Sequence, residues 1–475
     1  MNFMPVLDLL PAPFALAWLP VSFCLASASE SALRPLLFQL VVIILAARLG
    51  AGIARRLGQP SVVGEIVAGL LLGPSALGAV APELSALIFG GGTTPLTEGG
   101  LGTNEAALTT LSQIGLILLL FLIGLEFDFS HIRKQGWRAA AISIAGVVTP
   151  FALGVGLAIA MVPRLESLGA PASLHPLCFA LFLGTALSIT AIPILGRILI
   201  EMGMQHTAIG ATVVAAAACD DAVGWILLAA VSAAAVGQFE MQNVILMVGS
   251  TTFFALAMFF VVRPFMLPWL EQAVTAGGTE TDSQQSQLSL GALSLVLAAL
   301  LCTALITSLI GIFAIFGSFL LGAALSGSPR VRDAIASHLT AFVTVFFLPI
   351  FFTYTGLRTN IGVLGSVEAW LWCGAVMVTA IVGKWGGCGL AARLCGMPPG
   401  EASCVGVLMN TRALMELIVI NVGMDLGVIP PAVYCMLVLM AIGTTLMATP
   451  LAAHMLRGSP YEQRLIERQF LRPWR

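Results

Sequence analysis

The stretch AIGATVVAAAACDDAVGWILLAAV, residues 208–231, sets two adjacent aspartates, Asp220 and Asp221, in the middle of an otherwise apolar run. A hydrocarbon core about 30 Å thick is crossed by about 20 residues of helix, so the run is long enough to span a bilayer. A carboxylate at mid-span costs about 3 kcal/mol on insertion scales, and a pair of them calls for a reason. Two neighbouring carboxylates in a low-dielectric place cannot easily both be ionised. A group held in that position can exchange a proton for a bare cation, and competition for one site is the simplest physical basis for antiport. The competing reading, a pair neutralised by neighbouring helices for packing alone, leaves two such costs unexplained. The alanines around the pair let another helix approach closely.

The rest of the chain fits this setting. Of 475 residues, 59% are apolar and 9% charged, with a mean hydropathy of +1.01. A soluble chain carries about a quarter charged residues, so lipid is the solvent for most of this one. The net charge of −2 and the scattered basic residues offer no cluster for nucleic acid. Nine cysteines stand singly in or near apolar runs, without metal or disulfide spacing. The five histidines lie at span ends or in loops, and the soluble-enzyme signatures GxxxxGK[ST], GxSxG and HExxH are absent. No enzyme, resident metal or cofactor is expected beyond a transported cation at the aspartates.

Apolar stretches predict about thirteen transmembrane helices: 36–54, 61–77, 108–125, 139–162, 177–200, 207–235, 244–262, 288–309, 310–327, 338–357, 367–392, 401–429 and 431–456. Residues 1–35 form an N-terminal segment that reads as a signal or as an extra helix. With the loop at 55–60 placed in the cytoplasm, fifteen of the 21 Lys and Arg residues fall on the cytoplasmic side. The C-terminal tail, 457–475, is then cytoplasmic. The seventh span and a polar loop, together 236–287, separate a first repeat (36–235) from a second (288–456). An odd span between two sets of six inverts the second set, the arrangement around which transporters place their sites.

Corresponding spans of the two halves are both interrupted. GTALSITAIPILG (184–196) contains Thr190 and Pro193, and LMNTRALMEL (408–417) contains Arg412 and Glu416. Proline removes a backbone donor, and broken helices survive at membrane depth only where they are buried or line a cavity. Arg412 and Glu416 are expected to form a structural i,i+4 pair within the broken span. Lys384, in VTAIVGKWGGCG (378–389), stands eight residues from its span end, about 12 Å of helix rise. That is a long reach for snorkelling, and pairing with an aspartate is the better expectation. Glu65, in VVGEIVAG (62–69), is either a cavity-mouth carboxylate or merely interfacial.

Five segments carry a family resemblance: LGQPSVVGEIVAGLLLGPSALG (57–78), IGLILLLFLIGLEFD (114–128), ALSITAIPILGRIL (186–199), AAACDDAVGWILLA (216–229) and NTRALMELIVINVG (410–423). In unbroken order they resemble the second branch of the monovalent cation/proton antiporter superfamily, closest to its bacterial and plant cation/H⁺ exchangers. The resemblance implies an all-α membrane protein of about 13 helices in two inverted six-helix repeats. It further implies two crossing, partly unwound helices, a core domain and a dimerisation domain, and elevator-like transport by a homodimer. By motif match Asp221 is the proton- and cation-binding carboxylate, Asp220 its partner, Lys384 the charge partner of Asp220, and Thr190 a neighbour of the ion. Many plant relatives have Asn where this chain has Asp220. The Asp-Asp form with lysine goes with electrogenic exchange, and a 19-residue tail is too short for a nucleotide-gated domain. The expectation is therefore electrogenic Na⁺(Li⁺)/H⁺ exchange in a bacterial inner membrane, with K⁺/H⁺ exchange as the alternative. A passive cation channel or a non-transporting sensor would belong to another class.

Overall fold

The computed structural model describes residues 28–57, 59–89, 105–126, 129–170, 174–190, 192–204, 207–236, 241–277, 288–311, 313–412 and 414–467. Among these the secondary structure is entirely helical. Helix is what a bilayer demands, because it satisfies each backbone N–H and C=O within its own segment. Among the described residues each of the expected apolar stretches contains helix, and those at 177–200 and 401–429 are interrupted by non-helical residues. Nine helices among the described residues are long and apolar enough, taken singly, to cross a membrane. Three more apolar helices, Pro176–Ser188, Ala208–Asp220 and Ala314–Leu325, are shorter. The first helix begins at Ala28, so the expected segment 1–35 overlaps its first turns. Residues 1–27, on which the signal-or-helix question rests, lie outside the described residues.

Helix packing sorts the chain into two groups. The first comprises Ala28–Arg56, Ser61–Leu72 and Glu105–Glu126, with Leu290–Ile310, Ala314–Leu325 and Leu348–Leu357. The second comprises Phe129–Met161, Pro176–Ser188 and Ala208–Val236, with Val367–Leu394, the span from Pro399 to Asp425, and Pro431–Met455. Contacts within each group are dense and those between groups sparse. Each group therefore takes three spans from before the polar loop and three from after it.

Small residues let the helices within a group meet closely. In the first group, Gly124 and Gly322 face each other so tightly that a Cβ on either would collide with the other helix's backbone. Such packing replaces the hydrophobic drive that is missing between helices in lipid. The outer faces are apolar, as on Ala28–Arg56, where Val41, Leu45, Leu49 and Ile53 are exposed at helical spacing. Pro431–Met455 is the most buried of the nine long helices.

Candidate ion site between two broken helices

Both interruptions expected from the sequence are present, and they meet. The first broken span is helical over Pro176–Ser188, extended at Ile189, and helical again over Ile192–Glu201. Pro193 stands in the first turn of that second piece, where a missing N–H costs nothing; its side chain lies outside the described residues. The second broken span is helical over Pro399–Met409 and Leu414–Asp425, with Asn410, Thr411 and Arg412 non-helical between them.

A helix end leaves its last four carbonyls without intrahelical donors. At Ser188 each of the four finds a donor other than a backbone N–H of its own helix. The Ser188 hydroxyl donates to the Thr185 carbonyl at 2.8 Å. Arg412, reaching across from the other break, donates from Nη1 to Ala186 at 3.0 Å and from Nη2 to Leu187 at 2.6 Å. Lys384 donates to the Ser188 carbonyl. One break is thus closed by cations borne on two other spans.

Lys384 sits in a π-helical turn, Val382–Gly386, within the helix that continues to Leu394. Such turns are rare and collect at functional sites. Its ammonium has three protons and meets three acceptors: Asp220 Oδ2 at 2.6 Å, the Gly146 carbonyl at 2.8 Å and the Ser188 carbonyl. Lys384 and Asp220 are both fully buried. The Gly146 carbonyl is available because its ordinary helical partner would be the N–H of residue 150, and Pro150 has none. Gly146 also cannot carry a side chain. A Cβ there would lie 2.5 Å from Cys388 Sγ and 3.5 Å from Asp220 Oδ2. Pro150 in turn packs against Gly383, directly before the lysine.

Asp220, on the helix Ala208–Val236, receives a second hydrogen bond at Oδ2, from the Thr190 hydroxyl at 2.9 Å. The same hydroxyl lies 3.1 Å from the Met409 carbonyl, so its one proton is shared between the aspartate and the end of the other broken span. Asp220 Oδ1 is buried and has no hydrogen-bond partner. Asp221 is the next residue on this helix, and its side chain lies outside the described residues.

Arg412 and Glu416 are brought together, but not as a self-contained pair. Nη1 of Arg412 is 3.6 Å from Glu416 Oε2, and neither carboxylate oxygen accepts a hydrogen bond. The guanidinium is occupied by the opposite helix end instead. Glu65 is buried on Ser61–Leu72, in the first group of helices, whereas the lysine–aspartate pair belongs to the second.

Sequence reasoning missed Gly146 and the carbonyls of Ala186, Leu187 and Met409. Only Gly146 left a signal, a glycine four residues ahead of a proline within one span. No group of three His, Cys, Asp or Glu side chains able to hold a metal ion occurs among the described residues.

The family model described as sodium/hydrogen exchanger, transmembrane, matches residues 41–458. The chain is 38% identical to the Na(+)/H(+) antiporter NhaS4 of Synechocystis, over 88% of this chain and 96% of that one. It is 36% identical to Cation/H(+) antiporter 17 of Arabidopsis thaliana over 89% of its own length, and spans 48% of that longer protein. Its fold is similar to that of the sodium proton antiporter MjNhaP1 from Methanocaldococcus jannaschii, with a TM-score of 0.59 at 16% identity, covering 91% of this chain and 99% of the other. This multi-pass, all-α membrane protein belongs to the sodium/hydrogen exchanger family of monovalent cation/proton antiporters, a family of transporters rather than enzymes.

Proposed function

We propose that the protein exchanges Na⁺ or Li⁺ for protons, with Asp221 and Asp220 holding either the cation or the proton. One observation carries this reading: a fully buried aspartate, tied to a lysine and a threonine through Oδ2, keeps Oδ1 free where two helix breaks meet. A buried carboxylate oxygen without a donor is costly unless something fills the place. A proton or a dehydrated cation does so, and either would draw Asp220 from Lys384. Thr190, with one proton and two acceptors, can turn toward Met409 when the aspartate no longer needs it.

Exchange of more than one proton per cation, and so electrogenic transport, follows if the lysine–aspartate pair titrates with Asp221. The spans act as thirteen crossings in two inverted repeats, with the C-terminus in the cytoplasm of a bacterial cell. The two packing groups support an elevator in which the second group moves against the first, held in a homodimer. The similarity to an Na(+)/H(+) antiporter over nearly its full length supports sodium as the cargo.

The test uses purified protein in liposomes carrying a proton gradient and a pH-sensitive dye. Na⁺ and Li⁺ should collapse the gradient, faster when the membrane potential assists, and Asp221→Asn should abolish the response in a folded protein. Wild-type-like exchange by Asp221→Asn would refute the site. A response to K⁺ alone would move the protein to potassium exchange.

A further inference from the structure

The π-helical turn Val382–Gly386 has two sides. Lys384 is buried against Asp220, whereas Val382 and Gly386 of the same turn are exposed. On that exposed side a groove of about 620 Å³ lies between Val367–Leu394 and Pro399–Met409. Two glycines make the hollow. A Cβ on Gly386 would meet nothing within 4 Å, and one on Gly389 nothing closer than 3.5 Å. Gly386 has φ −63° and ψ −50°, ordinary helical values, so its backbone does not require glycine. Trp385 forms a wall, its indole N–H donating to Ser403 Oγ on the neighbouring helix at 3.0 Å.

The groove has one charged end. Arg393 lines it and is exposed, and it uses only Nη1, which donates to the Met397 carbonyl at 2.9 Å. Among the described residues no carboxylate pairs with Arg393, and no acidic side chain lines the groove. From Ile381 to Arg393 is twelve residues, about 18 Å of helix rise. Half of a ~30 Å hydrocarbon core is about 15 Å. The hollow is therefore about as long as one leaflet is deep, with its cation at the end proposed as cytoplasmic. A lone arginine at a span end needs no ligand, because it snorkels to the headgroups on any helix. Here its unused donors stand at the end of a furrow from which side chains are missing.

We propose that this groove binds one anionic phospholipid, an acyl chain lying over Gly386 and Gly389 and the headgroup phosphate accepting from Arg393. A guanidinium offers paired donors that match phosphate oxygens. With no carboxylate in the groove to meet the ammonium of a zwitterionic headgroup, a net negative one is preferred. The chain lies against the turn that carries Lys384, so occupancy stiffens that turn from its outer side. The proposal rests on lipid as the solvent and not on the antiporter reading.

The experiment titrates full-length protein, stripped of lipid in detergent, with phosphatidylglycerol or with phosphatidylcholine of the same chains. Native mass spectrometry counts the lipid retained. Phosphatidylglycerol should be retained in preference, and Arg393→Gln should weaken it about tenfold, the loss of one charge-assisted contact. Gly386→Leu, which fills the furrow, should abolish that retention. Arg330→Gln, at an exposed arginine off the groove, should leave it unchanged. Hydrogen exchange over 382–386 should slow with phosphatidylglycerol in the parent and not respond to it in Gly386→Leu. Equal retention of both lipids, or equal losses in Arg393→Gln and Arg330→Gln, would reduce the contact to ordinary surrounding lipid and overturn the proposal. Displacement by glycerol phosphate alone would overturn it too, as a site for free phosphate. Arg393→Gln, a surface change, keeps the test decisive if Gly386→Leu does not fold. None of these readouts involves transport, so they stand or fall separately from cation exchange in liposomes.

Discussion

Two buried ion pairs among the described residues are built oppositely. Lys384 and Asp220 are 164 positions apart, yet stand 2.6 Å from each other, with each ammonium proton matched to an acceptor. Arg412 and Glu416 are one helical turn apart in sequence, yet stand 3.6 Å apart, with both glutamate oxygens unbonded. Nearness along the chain did not make the better pair. The arginine satisfies carbonyls of a different span, for which its planar fork suits two adjacent acceptors. The lysine, a compact charge, fits among carbonyls and one carboxylate.

The largest effect expected from breaking this asymmetry comes at Lys384. Lys384→Met leaves Asp220 buried and uncompensated and should destabilise the protein by about 3–5 kcal/mol in thermal unfolding. Lys384→Met with Asp220→Asn should recover much of that loss, since replacing both members of a buried pair is often nearly neutral. Additive losses would mean that the two side chains are not coupled. Next comes Arg412→Lys, which keeps the charge but cannot hold the Ala186 and Leu187 carbonyls together. One stranded carbonyl should cost about 1–3 kcal/mol, and a variant as stable as the parent would deny the capping role.

A smaller effect is expected at Gly146. Gly146→Ala forces a methyl against Cys388 Sγ, costing about 1–3 kcal/mol by overpacking. Cys388→Ala, which removes the colliding sulfur, should relieve part of this in a double-mutant cycle. The smallest effect belongs to Glu416→Gln: it removes a buried counter-charge but no hydrogen bond, and Arg412 keeps its two carbonyl acceptors, so the loss should stay below the about 3–5 kcal/mol of an uncompensated buried charge. A loss as large as that at Lys384 would make the two pairs equivalent after all.

Much of this site is legible in the amino-acid sequence. Asp220, Lys384 and Arg412 stand out because charge in an apolar run is expensive, and Thr190 and Pro193 because they interrupt one. The breaks lie in both spans where polar and proline residues place them. The Arg412–Glu416 pair is expected from spacing alone, and spacing says nothing of the helix end that Arg412 caps. Gly146 escapes because its contribution is a backbone carbonyl, which every residue has, and an absent side chain, which many packing glycines share.

Composition and pattern by themselves determined the solvent, the helical class, the interrupted spans and the residues whose charge demands a partner. Those follow from transfer energies, which each residue carries with it. Only the tertiary structure decided which partner each charge takes, which carbonyls the breaks leave to be filled, and that Trp385 and Ser403 meet across two helices. A hydrogen bond needs atoms within about 3 Å, and spans hundreds of residues apart reach that distance only through packing.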